Sequence, residues 1–223
     1  MSILSSVPPL ASARAVWRAS RRRIIRAQEL AMDRRLGIET MSPPLAEADR
    51  AKPSHNPRNS PYEPLTYAAL RRIGEFLKLE SGDLLYDLGC GKGRMICWFA
   101  RERIRGCVGV ELDATLAEAA RANANALVGR QTPIEIRTSD ATLEDYSEAT
   151  VVTLYNPFDS EVMRRILIQL EASLDSNPRR VRIAYAAPRA RAVFQEFLRF
   201  VQVAEMSAPY DLGSMALLFF EAR

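Results

Sequence analysis

Acidic and glycine residues with a spacing suited to ligand binding follow a short apolar run near the centre of the chain. Asp87 lies at the end of this run, and Gly89, Gly91 and Gly93 follow at alternate positions before an apolar pattern of helical period. Glycine is needed where a tight turn takes a positive φ or where a ligand approaches the main chain. The pattern therefore predicts a buried strand, a glycine turn and a helix, with a small polar ligand at the turn.

Two classes of ligand bind at such a turn, and the neighbouring residues favour one of them. The dinucleotide fingerprint G-x-G-x-x-G/A needs a small residue at its sixth position, where this chain has Arg94. Asp87 would also bring negative charge close to a pyrophosphate. A ligand with positive charge suits this carboxylate better, and an NAD-dependent Rossmann enzyme is kept as an alternative.

Downstream of the turn, short apolar strands alternate with helical patterns, and two strands without a helix between them come last. Such alternation predicts a parallel sheet with helices on both faces, and the final pair predicts an antiparallel hairpin. The expected fold class is α/β, a three-layer Rossmann-like sandwich with a seven-stranded, mostly parallel sheet. Strands are predicted at Leu84–Leu88, Cys107–Glu111, Ile134–Arg137, Thr150–Tyr155, Arg180–Tyr185, Phe200–Glu205 and Ser214–Glu221, and helices at Gly93–Arg103, Leu116–Leu127, Glu161–Leu174 and Arg189–Leu198.

Polar residues follow three of these strands at the edge where open α/β sheets bind ligands. Glu111 closes the second strand, 22 residues after Gly89, an offset at which a carboxylate can accept both hydroxyls of a ribose. Asp140 follows the third strand, and Asn156 and Phe158 follow the fourth. Their joint spacing favours ligand contacts over helix caps or solvated loop residues.

The motif Asp-x-Gly-x-Gly-x-Gly, followed by these strand-end acids, resembles the class I S-adenosylmethionine-dependent methyltransferases over roughly residues 62–223. The resemblance implies the seven-stranded fold, S-adenosyl-L-methionine as cofactor and no metal. It implies that Asp140 bonds the adenine amine and that Glu111 holds the ribose. By resemblance the cofactor contacts are Asp87, Gly89, Cys90, Gly91, Gly93, Glu111, Leu112, Asp140 and Asn156.

The stretch Asn156-Pro157-Phe158 resembles the Asn/Asp-Pro-Pro-Tyr/Phe motif of amino-group methyltransferases, with one proline where that motif has two. There, the Asn side-chain oxygen and a proline carbonyl accept hydrogen bonds from the target nitrogen, and the aromatic ring stacks on it. The resemblance implies catalytic roles for Asn156 and Phe158. It favours a protein lysine or a small-molecule amine as acceptor over nucleic acid. A non-catalytic cofactor-binding or scaffolding module is a further alternative.

Residues 33–40 and 62–66 resemble small bacterial methyltransferases that are distantly similar to the non-SET protein-lysine methyltransferases. In those proteins an N-terminal helix and loop close over the methionine end of the cofactor. The resemblance implies that Tyr62, Glu63 and Thr66 contact the cofactor or the acceptor channel. Packing of the lid by Tyr62 is an equal alternative.

The chain is expected to divide into residues 1–61, a basic helix and a proline-rich loop or lid, and residues 62–223, the methyltransferase domain. Residues 1–28 contain six arginines and no acid, as organelle transit peptides do, although the predicted helix continues to residue 36. A membrane-surface or partner-binding helix is a further interpretation. The apolar side of the helix is predicted to contain Val16, Trp17, Ile24, Ala27, Ala31 and Leu36.

Several functional classes are disfavoured by composition. His55, the single histidine, lies in a loop rich in Pro, Asn and Ser, which disfavours a catalytic triad. Cys90, Cys97 and Cys107 match no metal-binding spacing and suit free thiols in a reducing compartment, so we expect a cytoplasmic location. No apolar run approaches the ~20 residues that cross a bilayer. The oligomeric state is left open.

Overall fold

The computed structural model describes residues 10–41, 62–155, 158–210 and 213–223. Most of the predicted proline-rich loop, with His55, and the Asn156-Pro157 dipeptide lie outside these ranges. The helices are α1 (Leu10–Leu36), α2 (Tyr67–Leu77), α3 (Arg94–Phe99), α4 (Ala114–Ala126) and α5 (Ser160–Ser176), with 3₁₀ turns at Ala141–Leu143 and Arg191–Glu196. The strands are β1 (Leu84–Leu88), β2 (Gly106–Glu111), β3 (Ile134–Thr138), β4 (Val151–Tyr155), β5 (Val181–Ala186), β6 (Val201–Tyr210) and β7 (Gly213–Ala222).

The strands form one seven-stranded sheet in the order β3-β2-β1-β4-β5-β7-β6. Neighbouring strands among β1 to β5 are parallel, whereas β7 runs antiparallel between β5 and β6. Every residue of β2 and β5 is buried, as expected where helices cover both faces of a parallel sheet. The predicted fold class, with its antiparallel hairpin at the C-terminal end, is confirmed.

Successive strand residues point to opposite faces of the sheet and so build two apolar cores. Leu85 lies in the core that α2, α3 and the end of α1 cover, and Tyr86 lies in the core under α5. Strand order reverses between β1 and β4, so the carboxyl ends of β1, β2 and β4 border the crevice at which such sheets bind ligands.

Two predicted helices differ from the structure. The helix predicted at Arg189–Leu198 is a 3₁₀ turn over Arg191–Glu196, in which Val193 and Phe197 donate to carbonyls three residues earlier. The helix predicted to reach Arg103 ends at Phe99. It ends there because the Ala100 carbonyl accepts hydrogen bonds from the N–H groups of Gln131 and Thr132, in the loop before β3, and not from a further helical turn.

The predicted apolar side of α1 is wrong for most of its length. Val16, Trp17 and Ile24 are 66%, 57% and 58% exposed, and Ala27 and Ala31 are exposed as well. Of the six predicted residues, Leu36 is the buried one. Among the described residues, the buried positions of the helix lie in its C-terminal turns, where polar side chains, described below, pack beside Leu36.

The C-terminal turns of α1 and the residues up to Thr40 pack into the same core as α2. Leu36 and Ile38 are buried beside Leu65 and Leu70. This stretch therefore shares a core with the region beyond residue 62. The division at residue 61 stays a prediction about segments along the chain, and it does not describe two separate cores. In the described ranges, no helix combines the length and apolar character that a membrane crossing requires.

Candidate cofactor and active site

The turn between β1 and α3 is built from glycines in the left-handed region. Gly89, Gly91 and Gly93 have φ values of 74°, 55° and 78°, which side chains other than glycine adopt at a cost. The backbone N–H groups of Gly89 and Cys90 both donate to the Val110 carbonyl, at 2.8 and 3.0 Å. These bonds hold the turn against the end of β2, next to Glu111.

Glu111 joins the turn to the start of α4. Its Oε2 accepts from the N–H of Gly91 at 2.8 Å, and its Oε1 accepts from the N–H of Asp113 at 2.9 Å. The side chain is buried, and burial raises its pKa. Because each carboxylate oxygen can accept more than one hydrogen bond, both oxygens retain capacity for ligand hydroxyls.

Asp87 is a buried carboxylate on β1, one strand away from Glu111. It accepts from the Thr153 hydroxyl on β4 at 2.9 Å. Burial, followed by the nearby charge of Glu111, raises the pKa of Asp87 to about 7. Among the described residues it has no basic partner, so this group suits a ligand that carries positive charge.

The acids and apolar residues predicted at the adenine side lie at the ends of β2 and β3, which pair in register from Cys107 with Ile134 to Glu111 with Thr138. Leu112 is exposed directly after β2. Asp140 caps the following 3₁₀ turn, because its Oδ1 accepts from the N–H of Thr142 at 2.8 Å. The capping bond uses one acceptor site of one carboxylate oxygen, so both oxygens keep capacity for an adenine amine.

Phe158 is the residue of the predicted acceptor motif that the structure describes. It is half-buried and packs against the core under α5. The next residue, Asp159, caps α5 by accepting from the N–H of Val162. The helix cap and the core contact therefore fix the chain from Phe158 onward, and Asn156 lies outside the described residues.

Tyr62 covers the glycine turn. A Cβ built on Gly91 would lie 2.3 Å from the Cε2 atom of the Tyr62 ring, so the ring occupies the space over this glycine. The Tyr62 hydroxyl donates to the Thr40 carbonyl at 2.6 Å, and burial raises its pKa. Lid packing by Tyr62 is thus observed, and a cofactor contact by the same ring stays a prediction.

Thr66 and Glu63 have different surroundings from Tyr62. The Thr66 hydroxyl caps α2 by accepting from the N–H of Ala69, and it donates to the Pro209 carbonyl at 3.0 Å. Glu63 is exposed. The observed contacts of Thr66 join α2 to β6, so its predicted contact with the cofactor has to come from its remaining surface.

A buried polar cluster outside the predicted site residues ties α1 to the glycine turn. Arg94, the first residue of α3, donates to Glu29 Oε2 at 2.5 Å and to Asp33 Oδ1 at 3.0 Å. Its Nε donates to the Thr40 hydroxyl, and its guanidinium lies 4.5 Å from the centre of the Tyr67 ring. We call Glu29, Asp33, Thr40, Tyr67 and Arg94 the α1 clamp.

The α1 clamp has a weak signal in the sequence. Glu29 and Asp33 are four residues apart on a predicted helix and therefore share a face. Their partner Arg94 is more than 60 residues away in the chain, so its role follows only from the fold. The clamp holds Thr40, and through the Thr40 carbonyl it holds Tyr62 over the turn.

A second polar contact joins the same segment to the turn. The Asn123 side chain on α4 accepts from the N–H of Glu39 at 2.8 Å. It also donates to the carbonyls of Glu39 and Lys92, at 3.0 and 2.8 Å. Because Lys92 lies inside the glycine turn, this contact fixes the spacing between the N-terminal segment and the turn.

Comparison with known proteins agrees with this architecture. Residues 86–159 match the family described as a methyltransferase domain. A protein-lysine N-methyltransferase of Saccharolobus islandicus (strain REY15A) is 37% identical over 98 residues, which are 43% of this chain and 59% of that protein. This chain thus spans 59% of the length of that relative.

Solved structures share the fold. An RNA methyltransferase from Salinibacter ruber in complex with S-adenosyl-L-homocysteine has a TM-score of 0.52 at 25% identity, over 72% of this chain and 92% of that chain. TrmN from Thermus thermophilus has a TM-score of 0.58 at 17% identity, over 71% of this chain and 49% of that one. Sp1610 of Streptococcus pneumoniae, in complex with S-adenosyl-L-methionine, has a TM-score of 0.55 at 19% identity, over 69% of this chain and 72% of that one.

The motif order, the strand order and the matched domain all indicate a methyltransferase fold. The glycine turn opens α3, two buried carboxylates lie beside it, and the sheet carries its antiparallel hairpin at the C-terminal end. Residues 86–159 match a methyltransferase domain, and the described residues have the fold of the class I S-adenosylmethionine-dependent methyltransferases.

Proposed function

We propose that this chain binds S-adenosylmethionine at the glycine turn and transfers its methyl group to an amine, the side chain of a protein lysine. The observation that carries the proposal is the pair of buried carboxylates beside the turn. Glu111 contacts the turn through Gly91, and Asp87 has no basic partner among the described residues. A ligand that brings hydroxyls to Glu111 and positive charge to Asp87 would satisfy both groups.

The residues around the turn suit the parts of this cofactor, whose sulfonium supplies the activated methyl group. Glu111 would accept from the ribose hydroxyls, and Leu112 and Asp140 would border the adenine. The turn from Gly89 to Gly93 would hold the methionine end. Tyr62 would close over that end and exclude water, because its ring already lies on Gly91.

Methyl transfer is an in-line displacement, so the protein has to hold the acceptor nitrogen about 3 Å from the methyl carbon and aligned with the breaking bond. In the proposal the Asn156 side-chain oxygen accepts a hydrogen bond from the amine, and Phe158 borders it. The lysine ammonium first has to release its proton to solvent, and the neutral amine then attacks the methyl carbon as S-adenosylhomocysteine leaves, so the transfer itself needs no dedicated base. The described residues place no histidine at the site, which is compatible with this reaction.

Two observations support a lysine acceptor over a nucleobase. The relative from Saccharolobus islandicus is a protein-lysine methyltransferase and is 37% identical over the matched region. Residues 33–40 resemble small bacterial methyltransferases that are distantly similar to the non-SET lysine methyltransferases, and they pack beside the glycine turn, where Thr40 bonds Arg94 and Glu39 bonds Asn123. The Salinibacter ruber protein methylates RNA, and nucleic acid is therefore an outcome to be tested.

The test is methyl transfer from cofactor labelled in its methyl group, incubated with a cell lysate and then fractionated into protein, RNA and small molecules. We expect label in protein, on lysine. Asn156→Ala should abolish the transfer and leave the affinity for S-adenosylhomocysteine close to normal. Asn177→Ala is the matched control, because Asn177 is exposed and bonds only the Ser147 carbonyl among the contacts of its side chain in the described structure.

Each contrary outcome assigns a different function. Label in RNA would overturn the lysine acceptor, and label in small molecules would move the proposal to a small-molecule amine. Cofactor binding without any transfer would indicate a non-catalytic binding module. Binding of NAD, with no binding of either methionine cofactor, would contradict the proposal altogether.

Cofactor affinity should depend on pH through Asp87. Because its pKa is raised to about 7, the free protein holds a proton below that pH which a cationic ligand has to displace. We therefore expect affinity for S-adenosylmethionine to rise from about pH 5.5 to about pH 7.5, by up to about tenfold per unit at the acid end. Above this range the dependence on Asp87 is lost, because the free carboxyl is already ionised.

Calorimetry in two buffers of different ionisation enthalpy would measure both the affinity and the proton released. The raised pKa of Glu111 contributes to the same profile, since the two carboxyl groups titrate as an interacting pair. Asp87→Asn should weaken binding and reduce the slope, and Glu135→Gln, at an exposed position of β3, should change neither. An unmodified protein with constant affinity over this range would show that Asp87 does not face the cationic part of the cofactor.

A further inference from the structure

The N-terminal half of α1 has a surface that stays exposed among the described residues. All residues from 15 to 24 are exposed, residues 25 and 26 are half-buried, and Asp33 is the first buried residue of the helix. We call residues 15–24 the basic half-helix. Exposed large apolar side chains in one stripe indicate a binding surface.

Apolar and basic residues occupy different sides of the basic half-helix. At 100° per residue, Val16, Trp17 and Ile24 share one stripe, and the 58% exposure of Ile24 shows that the domain leaves this stripe open. Arg21 and Arg23 lie on either side of the stripe, and the Arg21 guanidinium is 5.2 Å from the centre of the Trp17 ring. The remaining arginines of this stretch, Arg18 and Arg22, lie on the opposite side.

The chemistry of this surface matches an anionic lipid interface. An apolar stripe with a tryptophan, bordered by long cationic side chains, lies in the plane of a bilayer surface with its ring and aliphatic groups among the acyl chains. The arginine side chains reach from the stripe toward lipid phosphates. A nucleic acid would neutralise the arginines but leave Val16 and Ile24 in water.

A second copy of the chain suits the surface less well. Residues 10–28 carry six arginines and no acid, so two such helices packed side by side would repel each other. The charge pattern therefore selects an acidic partner, and the apolar stripe selects one with an apolar interior. A bilayer surface rich in anionic lipid offers both.

We propose that the basic half-helix binds the surface of anionic membranes and thereby holds the domain at the lipid interface. The α1 clamp fixes the distance between the membrane-binding surface and the glycine turn, because Asp33 joins the same helix to Arg94. From Ile24 to Asp33 the helix advances about 14 Å. Methyl transfer would then take place within a short, fixed distance of the membrane, whatever the acceptor is.

Vesicles of phosphatidylglycerol mixed with phosphatidylcholine provide the test. Tryptophan fluorescence can report the binding, because the chain has only two tryptophans, Trp17 and Trp98. Trp98 packs against Tyr67 in the core, so a Trp98→Phe background isolates the emission of Trp17. We expect the full chain to sediment with the anionic vesicles and the Trp17 emission to shift to shorter wavelength. Binding should weaken as salt rises and be at least about tenfold weaker to phosphatidylcholine alone.

Ile24→Asp should lower vesicle binding by at least about tenfold and leave the affinity for S-adenosylhomocysteine unchanged. Leu198→Asp is the matched control, because Leu198 is 94% exposed and lies outside α1, shortly before β6; this variant should bind vesicles normally. Equal loss in both variants, or no sedimentation with anionic vesicles, would overturn the proposal. Binding of RNA or of an acidic protein without binding of vesicles would also overturn it and assign the surface to that partner.

Discussion

Replacement of Arg94 by methionine is expected to lower the free energy of unfolding by about 3–5 kcal/mol. The Arg94 guanidinium is 3% exposed and bonds Glu29 and Asp33, which are themselves largely buried. Burial already raises the pKa of Glu29 although the charge of Arg94 opposes this. Removal of the cation leaves two carboxylates in an apolar environment without their partner, and that is far costlier than the loss of an exposed ion pair.

Urea unfolding at neutral pH would measure this loss. Arg105→Met is the matched control, because Arg105 pairs with Glu148 at 2.8 Å but both side chains are exposed, so a change of at most about 1 kcal/mol is expected. The double variant Arg94→Met with Asp33→Asn should lose less than the sum of the single variants, since they share one interaction. If Arg94→Met does not fold, Arg94→Lys, which keeps the charge but not the fork of donors, should show a smaller loss. Equal unfolding midpoints for Arg94→Met and Arg105→Met would contradict a structural role for the clamp.

The positions of the strands along the chain follow from local sequence features. β1 has the predicted bounds, Leu84–Leu88, because a strand buried on both faces is an unbroken apolar run that ends at the glycine turn. The hairpin of β6 and β7 follows from two strands that no helix separates. Sequence pattern does less well at Arg191–Glu196, where a short connection with successive i→i+3 hydrogen bonds takes the place of the predicted helix.

The face through which α1 packs on the domain shows why contacts between distant segments could not be predicted. Apolar periodicity assigns Trp17 and Ile24 to the core side, yet the helix docks through Glu29 and Asp33. Polar residues define this contact because Arg94 is buried opposite them, and no local pattern reveals a partner 61 residues away. A hydrophobic stripe indicates that a surface is covered, but it does not indicate whether the protein itself or a partner covers it.

The same distinction applies to the candidate site. The positions of Asp87 and Glu111 at the ends of adjacent strands follow from motif spacing and strand order together. Their hydrogen bonds could not be predicted from the sequence. Asp87 accepts from Thr153 on β4, and Glu111 accepts from Gly91 in the turn that precedes its own strand. The position of Tyr62 over Gly91 depends on the path of the N-terminal segment through Thr40, which sequence spacing cannot supply.

Replacement of Glu111 by alanine is expected to weaken the binding of S-adenosylhomocysteine by about 100-fold or more. In the proposed complex the carboxylate accepts both ribose hydroxyls, and two hydrogen bonds to a charged group contribute about 3 kcal/mol together. The variant also loses the bonds from the N–H groups of Gly91 and Asp113, so the turn itself becomes less restrained. Calorimetry measures the affinity directly, and thermal unfolding in the absence of ligand measures the effect on the fold.

The control for this prediction is Glu135→Ala, which removes a carboxylate of the same type from an exposed position of β3, where it pairs with Arg137. Its affinity should equal that of the unmodified chain. The two effects of Glu111→Ala separate with adenosine and with methionine as ligands: loss of the ribose bonds weakens adenosine binding alone, whereas a loosened turn weakens both. Unchanged affinity of Glu111→Ala for S-adenosylhomocysteine would show that Glu111 acts only as a brace for the turn and that the ribose is held elsewhere.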